Sequence, residues 1–130
     1  MQTYARVLFW LATLFNTAVG LFLAFAPEPF AATLDLQPVE GTNRLFAALC
    51  AGFILIFGYV YARIALDPVR FRPFIGLGAG GKIFAVAIMA WLWARHVIGW
   101  KVPALASGDL VLALLFVDYL RRTAPGRAGA

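Results

Sequence analysis

The sequence predicts an all-α integral membrane protein: one bundle of four transmembrane helices with both termini cytoplasmic. Three observations carry this. Hydrophobic residues make up 63% of the 130 residues and charged residues 13%, against about 45–50% and about 25% in a soluble domain. Such a chain cannot cover its apolar surface with polar groups in water, so its solvent is a bilayer. The apolar residues fall into four runs of spanning length. The cations sit at the ends of those runs rather than along them, the pattern of membrane anchoring and orientation.

The formal charge of +5 therefore does not point to nucleic acid, because the cations form no stripe. The lone cysteine, Cys50, excludes an intramolecular disulfide, a Cys–X–X–Cys redox pair and a cysteine-rich metal site. Its packing reading is a small buried hydrophobe. At this size there is room for a single domain, expected over residues 1–122, with a disordered tail over 123–130.

The first span is expected at about 4–26, ending where Pro27 and Pro29 forbid helix continuation. Ala24-Phe25-Ala26 resembles a cleavage site, but the apolar run is of span length and Pro27 would follow the cut, so the segment reads as a retained span. Asn16 lies near its middle, and Gly20, four residues on, shares its side. Residues 27–43 form the longest connection, and mix Phe30, Leu34 and Leu36 with Glu28, Asp35 and Glu40. Two readings stand: a short interfacial helix with apolar side chains dipping inward, or a loop packed over the mouth of the bundle.

Thr42 or Asn43 caps the second span, expected at about 44–65 and stopped by Asp67-Pro68. Tyr59 and Tyr61 lie towards its end, at headgroup depth. A basic turn with Arg70 and Arg72 leads to the third span, about 74–94, which opens on Gly76, Gly78, Gly80 and Gly81. Gly76 and Gly80 have small-xxx-small spacing, so that face is expected to pack another backbone closely. Trp91, Trp93, Arg95 and His96 mark its exit. The fourth span, about 103–120, starts with Pro103 in its first turn, where a missing N–H costs nothing.

Cation counts set the orientation. Arg6, Arg63, Arg70, Arg72, Arg121, Arg122 and Arg127 lie on one side, and Arg44, Arg95 and Lys101 on the other. The richer side, which holds both termini, is expected in the cytoplasm.

Lys82 is the remaining cation and lies inside the third span. A charge there costs about 2.5–3.5 kcal/mol on insertion scales and calls for a partner. Taking Ala26, Ala94 and Val102 as the outer boundary, helical rise puts Asn16 roughly 15 Å, Lys82 roughly 18 Å and Asp109 roughly 10 Å below it. The lysine stem spans most of the difference. The sequence thus predicts a polar layer in which Lys82 pairs with Asp109 and Asn16 adds a hydrogen bond. That layer reads either as the lining of a binding or transport cavity, or as a brace that fixes helix register. Asp118 is the secondary partner for Lys82, although Arg121 and Arg122 lie one turn away from it. Arg44 and Tyr59 are secondary site candidates.

Other constellations fall away. His96 is the only histidine and sits in a basic, Trp-flanked exit, so neither a metal nor a haem site is expected and no cofactor is implied. The Gly76–Gly81 run lacks the strand and the Lys-Ser/Thr of a phosphate loop.

With Asn16 and Gly20 in the first span, Asn43-Arg44-Leu45-Phe46 opening the second, Asp67-Pro68 closing it, Gly81-Lys82 in the third and Gly108-Asp109 in the fourth, the chain resembles the DoxX-like group of small four-span bacterial membrane proteins over most of residues 4–122. The resemblance implies the fold, a bacterial inner-membrane location and a role as an accessory or redox-associated membrane subunit. The first functional expectation is a non-enzymatic protein that binds a lipid, a quinone or another hydrophobic small molecule around the layer, or a partner subunit, as a homo-oligomer or in a larger membrane complex. The second is a transporter of the size of the small multidrug resistance family, whose first-span glutamate is here replaced by Asn16. The third is an intramembrane isomerase using Asp109 as general acid or base.

Overall fold

The computed structural model describes residues 1–124 and is all-helical there, with α1 (Gln2–Phe25), α2 (Pro27–Thr33), α3 (Asn43–Leu66), α4 (Arg72–Ala94) and α5 (Lys101–Arg122). The tail beyond Ala124 lies outside the described residues. Four of these helices, α1, α3, α4 and α5, are long and apolar enough to cross a membrane. Each begins and ends within two residues of the span expected from the sequence. The chain is thus compatible with a small multi-pass membrane protein.

Local chemistry sets the breaks. α1 ends where Pro27 has no N–H to continue the ladder, and Pro27 opens α2 in the first turn. α3 stops at Asp67, held extended before Pro68, and the Asp67 carboxylate accepts from the Arg70 N–H at 3.1 Å to close the turn. α4 ends on a left-handed His96 (φ 57°), with the Val97 N–H donating to Leu92 O at 3.0 Å and the His96 N–H to Trp93 O at 2.9 Å. This is the Schellman pattern. Asp35 (φ 55°) ends α2 in the same way, with the Leu36 N–H on Ala31 O at 2.8 Å. The long connection therefore holds a short helix followed by an irregular return over residues 34–42.

In the bundle α1 packs chiefly on α3, and α4 chiefly on α5; α3 meets α4, and α1 meets α5, over less surface. The dense core lies towards the end that carries both chain termini. Phe9, Tyr61, Ile64, Ile75 and Phe116 are its largest fully buried side chains. Phe116 packs between Phe9 (4.7 Å between centroids, tilted) and Tyr61 (5.2 Å, edge to face). At the same end Arg72 donates to Leu120 O at 2.9 Å and to the Thr123 hydroxyl, capping α5 from the start of α4. Towards the other end, α2 and the segment after it cover the bundle, and two exposed ion pairs hold them: Arg44–Glu28 at 3.5 Å and Lys101–Asp35 at 2.9 Å. One half of the bundle is thus filled with side chains and the other is roofed.

Candidate functional site: a polar layer beneath an apolar cavity

At the boundary between the filled and the roofed half, three helices contribute polar groups. Lys82 of α4 is 5% exposed, and its ammonium donates to Asp109 of α5 and to Asn16 Oδ1 of α1, the latter at 2.9 Å. Asn16 in turn donates from Nδ2 to the Ile54 carbonyl of α3 at 3.2 Å. One connected network therefore touches all four long helices. Among the described residues no buried side-chain nitrogen or oxygen lacks a hydrogen-bond partner. In oil that completeness decides whether such a layer can exist.

The ammonium also lies 5.2 Å from the ring centre of Tyr61 and 5.6 Å from that of Phe15. Both are within the range at which a ring quadrupole attracts a cation. Each ring reaches its place over a glycine. A Cβ on Gly78, one turn before Lys82 on the same face of α4, would come within 2.7 Å of the Tyr61 ring. A Cβ on Gly108 would come within 3.1 Å of the Phe15 ring. These absent side chains let Tyr61 and Phe15 lie flat beside the charge.

The other candidates lie elsewhere. Asp118 pairs with Arg122 at 2.8 Å on the exposed side of α5, one turn along, and does not meet Lys82. Arg44 holds Glu28 and donates to Val39 O at 3.3 Å, so it belongs to the fastening of the roof. Tyr59 is exposed and accepts from Arg63 at 3.0 Å. Gly76 and Gly80 face outward, and an added Cβ at either would meet nothing within 4 Å. Within this chain the close approach of α4 is made by Gly78 instead. Small-residue spacing marks a groove on a helix but not what fills it.

Two further expectations change. Tyr61 is not a ring on the outer surface of the bundle: it is 1% exposed and lies against Lys82. Cys50 is exposed rather than buried, and it lines a cavity. The signal for Tyr61 was available in Gly78, a glycine on the face of α4 that carries the lysine. Gly108, beside Asp109 on α5, was the corresponding mark for Phe15, and the Ile54 carbonyl had none.

The cavity lies above the layer. It has a volume of about 300 Å³, with Asn16 and Asp109 on its floor, walls such as Val19, Met89 and Leu105, and a roof from Phe30, Leu34 and Leu36. A smaller space of about 180 Å³ adjoins it at the α3–α4 seam, between the exposed Phe53 and Gly81, and also reaches Lys82 and Asp109. Chemically, the layer holds one carboxylate and one ammonium in mutual contact. Among the described residues no three His, Cys, Asp or Glu side chains come together to hold a metal.

The glycine geometry makes a contrast that can be measured. Gly78→Ala is expected to lower stability by about 1–3 kcal/mol, since the buried Tyr61 ring is held against Phe57 and Phe116 and would have to shift. Gly76→Ala and Gly80→Ala are expected to be neutral, or stabilising by up to about 1 kcal/mol through helix propensity. Reversible unfolding in mixed micelles reads all three. Equal losses at positions 78 and 80 would show that the outward glycines pack something beyond this chain. Comparisons with family models, with curated proteins and with solved structures find no match, so the geometry of the layer and cavity alone bears on function.

Proposed function

We propose that the protein is a non-enzymatic multi-pass protein of the bacterial inner membrane, with both termini in the cytoplasm, that holds a hydrophobic small molecule in the cavity above Lys82, Asn16 and Asp109. It acts as an accessory subunit of the DoxX-like kind. The observation that carries this reading is the cavity itself. An apolar chamber with a few convergent polar groups at one end is the usual form of a small-molecule site, and about 300 Å³ is at the lower limit of such sites. The seam between α3 and α4, flanked by Phe53 and Gly81, gives a lateral path from the acyl chains.

The aromatic cluster of Phe9, Tyr61 and Phe116 favours binding over transport. It closes the bundle below the layer, whereas alternating access needs a route on both sides of the site. An isomerase is disfavoured because Asp109 is the single carboxylate lining the layer among the described residues, and its charge is paired with Lys82.

Cys50 supplies the test, because it is the only thiol and it lines the cavity. In nanodiscs, alkylation of Cys50 by a maleimide should slow several-fold when the native membrane extract is added back to delipidated protein. Rates unchanged by any extract fraction would contradict the binding reading. A C-terminal fluorescent-protein fusion should fluoresce, as it does only in the cytoplasm, and a dark fusion at normal abundance would contradict the orientation.

A further inference from the structure

We infer that the ligand is an uncharged amphiphile carrying a hydroxyl group, with the hydroxyl donating to Asp109 and the apolar body filling the roofed cavity. The inference rests on the binding reading above and adds the chemical class. Its starting point is the charge of the layer. Lys82 contributes one positive charge and Asp109 one negative, in direct contact, and no other Asp, Glu, Lys, Arg or His side chain among the described residues lines either of the two spaces that meet there. The floor of the cavity is therefore neutral. A carboxylate ligand would face Asp109, and an ammonium ligand would face Lys82. Either would leave one unbalanced charge in a low-dielectric chamber, where that is costly.

The second step concerns which member of the layer is still open. Two of the three N–H donors of Lys82 are used on Asn16 and Asp109, and the ring faces of Tyr61 and Phe15 flank the ammonium. Asn16 is engaged on both ends, through Oδ1 to Lys82 and Nδ2 to Ile54 O. Asp109 differs. Its hydrogen bond among the described residues is on Oδ1, its side chain remains 22% exposed, and it lines both spaces. An ionised carboxylate accepts and cannot donate. The group that meets it must be a donor.

Among neutral donors, a hydroxyl fits best. An amide carries two polar groups into an apolar chamber, a carbonyl besides its N–H, whereas a hydroxyl carries one small polar atom and so costs less to desolvate. The body follows from the walls. From Val102, at the roofed end, to Asp109 is about 10 Å along α5. At roughly 30 Å³ for each water-sized group, a chamber of about 300 Å³ holds on the order of ten such groups. A ten-carbon chain with one terminal hydroxyl matches both measures.

The probes are 1-decanol, decanoic acid, decylamine and decane, each added to protein in phosphatidylcholine nanodiscs at pH 7.5. Each is scored by the mole fraction in the bilayer that halves the rate of Cys50 alkylation, so that partition into lipid cancels. Decanol should protect at a mole fraction roughly tenfold or more below that of the other three. Asp109→Asn, which leaves the floor positive, should turn the preference to decanoate. Lys82→Met with Asp109→Leu, which removes both charges and leaves a foldable apolar floor, should make decanol and decane equal. Decane protecting as well as decanol in the native protein would overturn the hydroxyl while leaving the cavity as a binding site. Tighter protection by decanoate or decylamine would do the same, as would an unchanged preference in Asp109→Asn or in the double variant. Failure of all four probes would overturn the binding reading, and the inference with it.

Discussion

An ammonium and a carboxylate that meet inside the bundle determine the rest of this structure. Neither charge could remain ionised alone in an apolar surrounding, and the contact between Lys82 and Asp109 joins α4 to α5 inside the bundle, where Lys82 is almost fully enclosed. The pair does not stand unsupported. Asn16 links it to α1 and, through the Ile54 carbonyl, to α3. Two aromatic rings take the place of water around the ammonium. The cost of a buried charge is met by a network that also fixes the register of four helices.

The two halves of the molecule divide the work. Below the layer, aromatic and branched side chains fill the space between the helices, and Arg72 ties the ends of α4 and α5 together. Above it, the helices are held apart and a short helix closes the top, fastened by ion pairs that are exposed and hence weak. That difference gives the polar layer a face, with Asp109 partly open towards the chamber and Lys82 enclosed.

Much of this was legible in the sequence. The helix limits follow from prolines at 27, 68, 73 and 103 and from the apolar run lengths, because a missing N–H acts in any environment. Depth also follows, since rise per residue is fixed, and that arithmetic sets Asn16, Lys82 and Asp109 at comparable levels. Which side of a helix looks inward does not follow. In water the polar face marks the outside, but a span that meets lipid on one side and protein on the other is apolar all round. This is why Gly76 and Gly80 read like a packing face while Gly78 makes the contact, and why Cys50 reads as core and Tyr61 as belt. The cavity was hidden for the same reason: its walls have the composition of a packed core.

The most direct measurement of the central interaction is a double-mutant cycle on Lys82→Met and Asp109→Leu, with unfolding followed by steric trapping in bilayers. Each single substitution strands one charge, so the account expects losses of about 3 kcal/mol or more singly and a double variant close to the native protein in stability. Additive losses, with no coupling between the two positions, would contradict it.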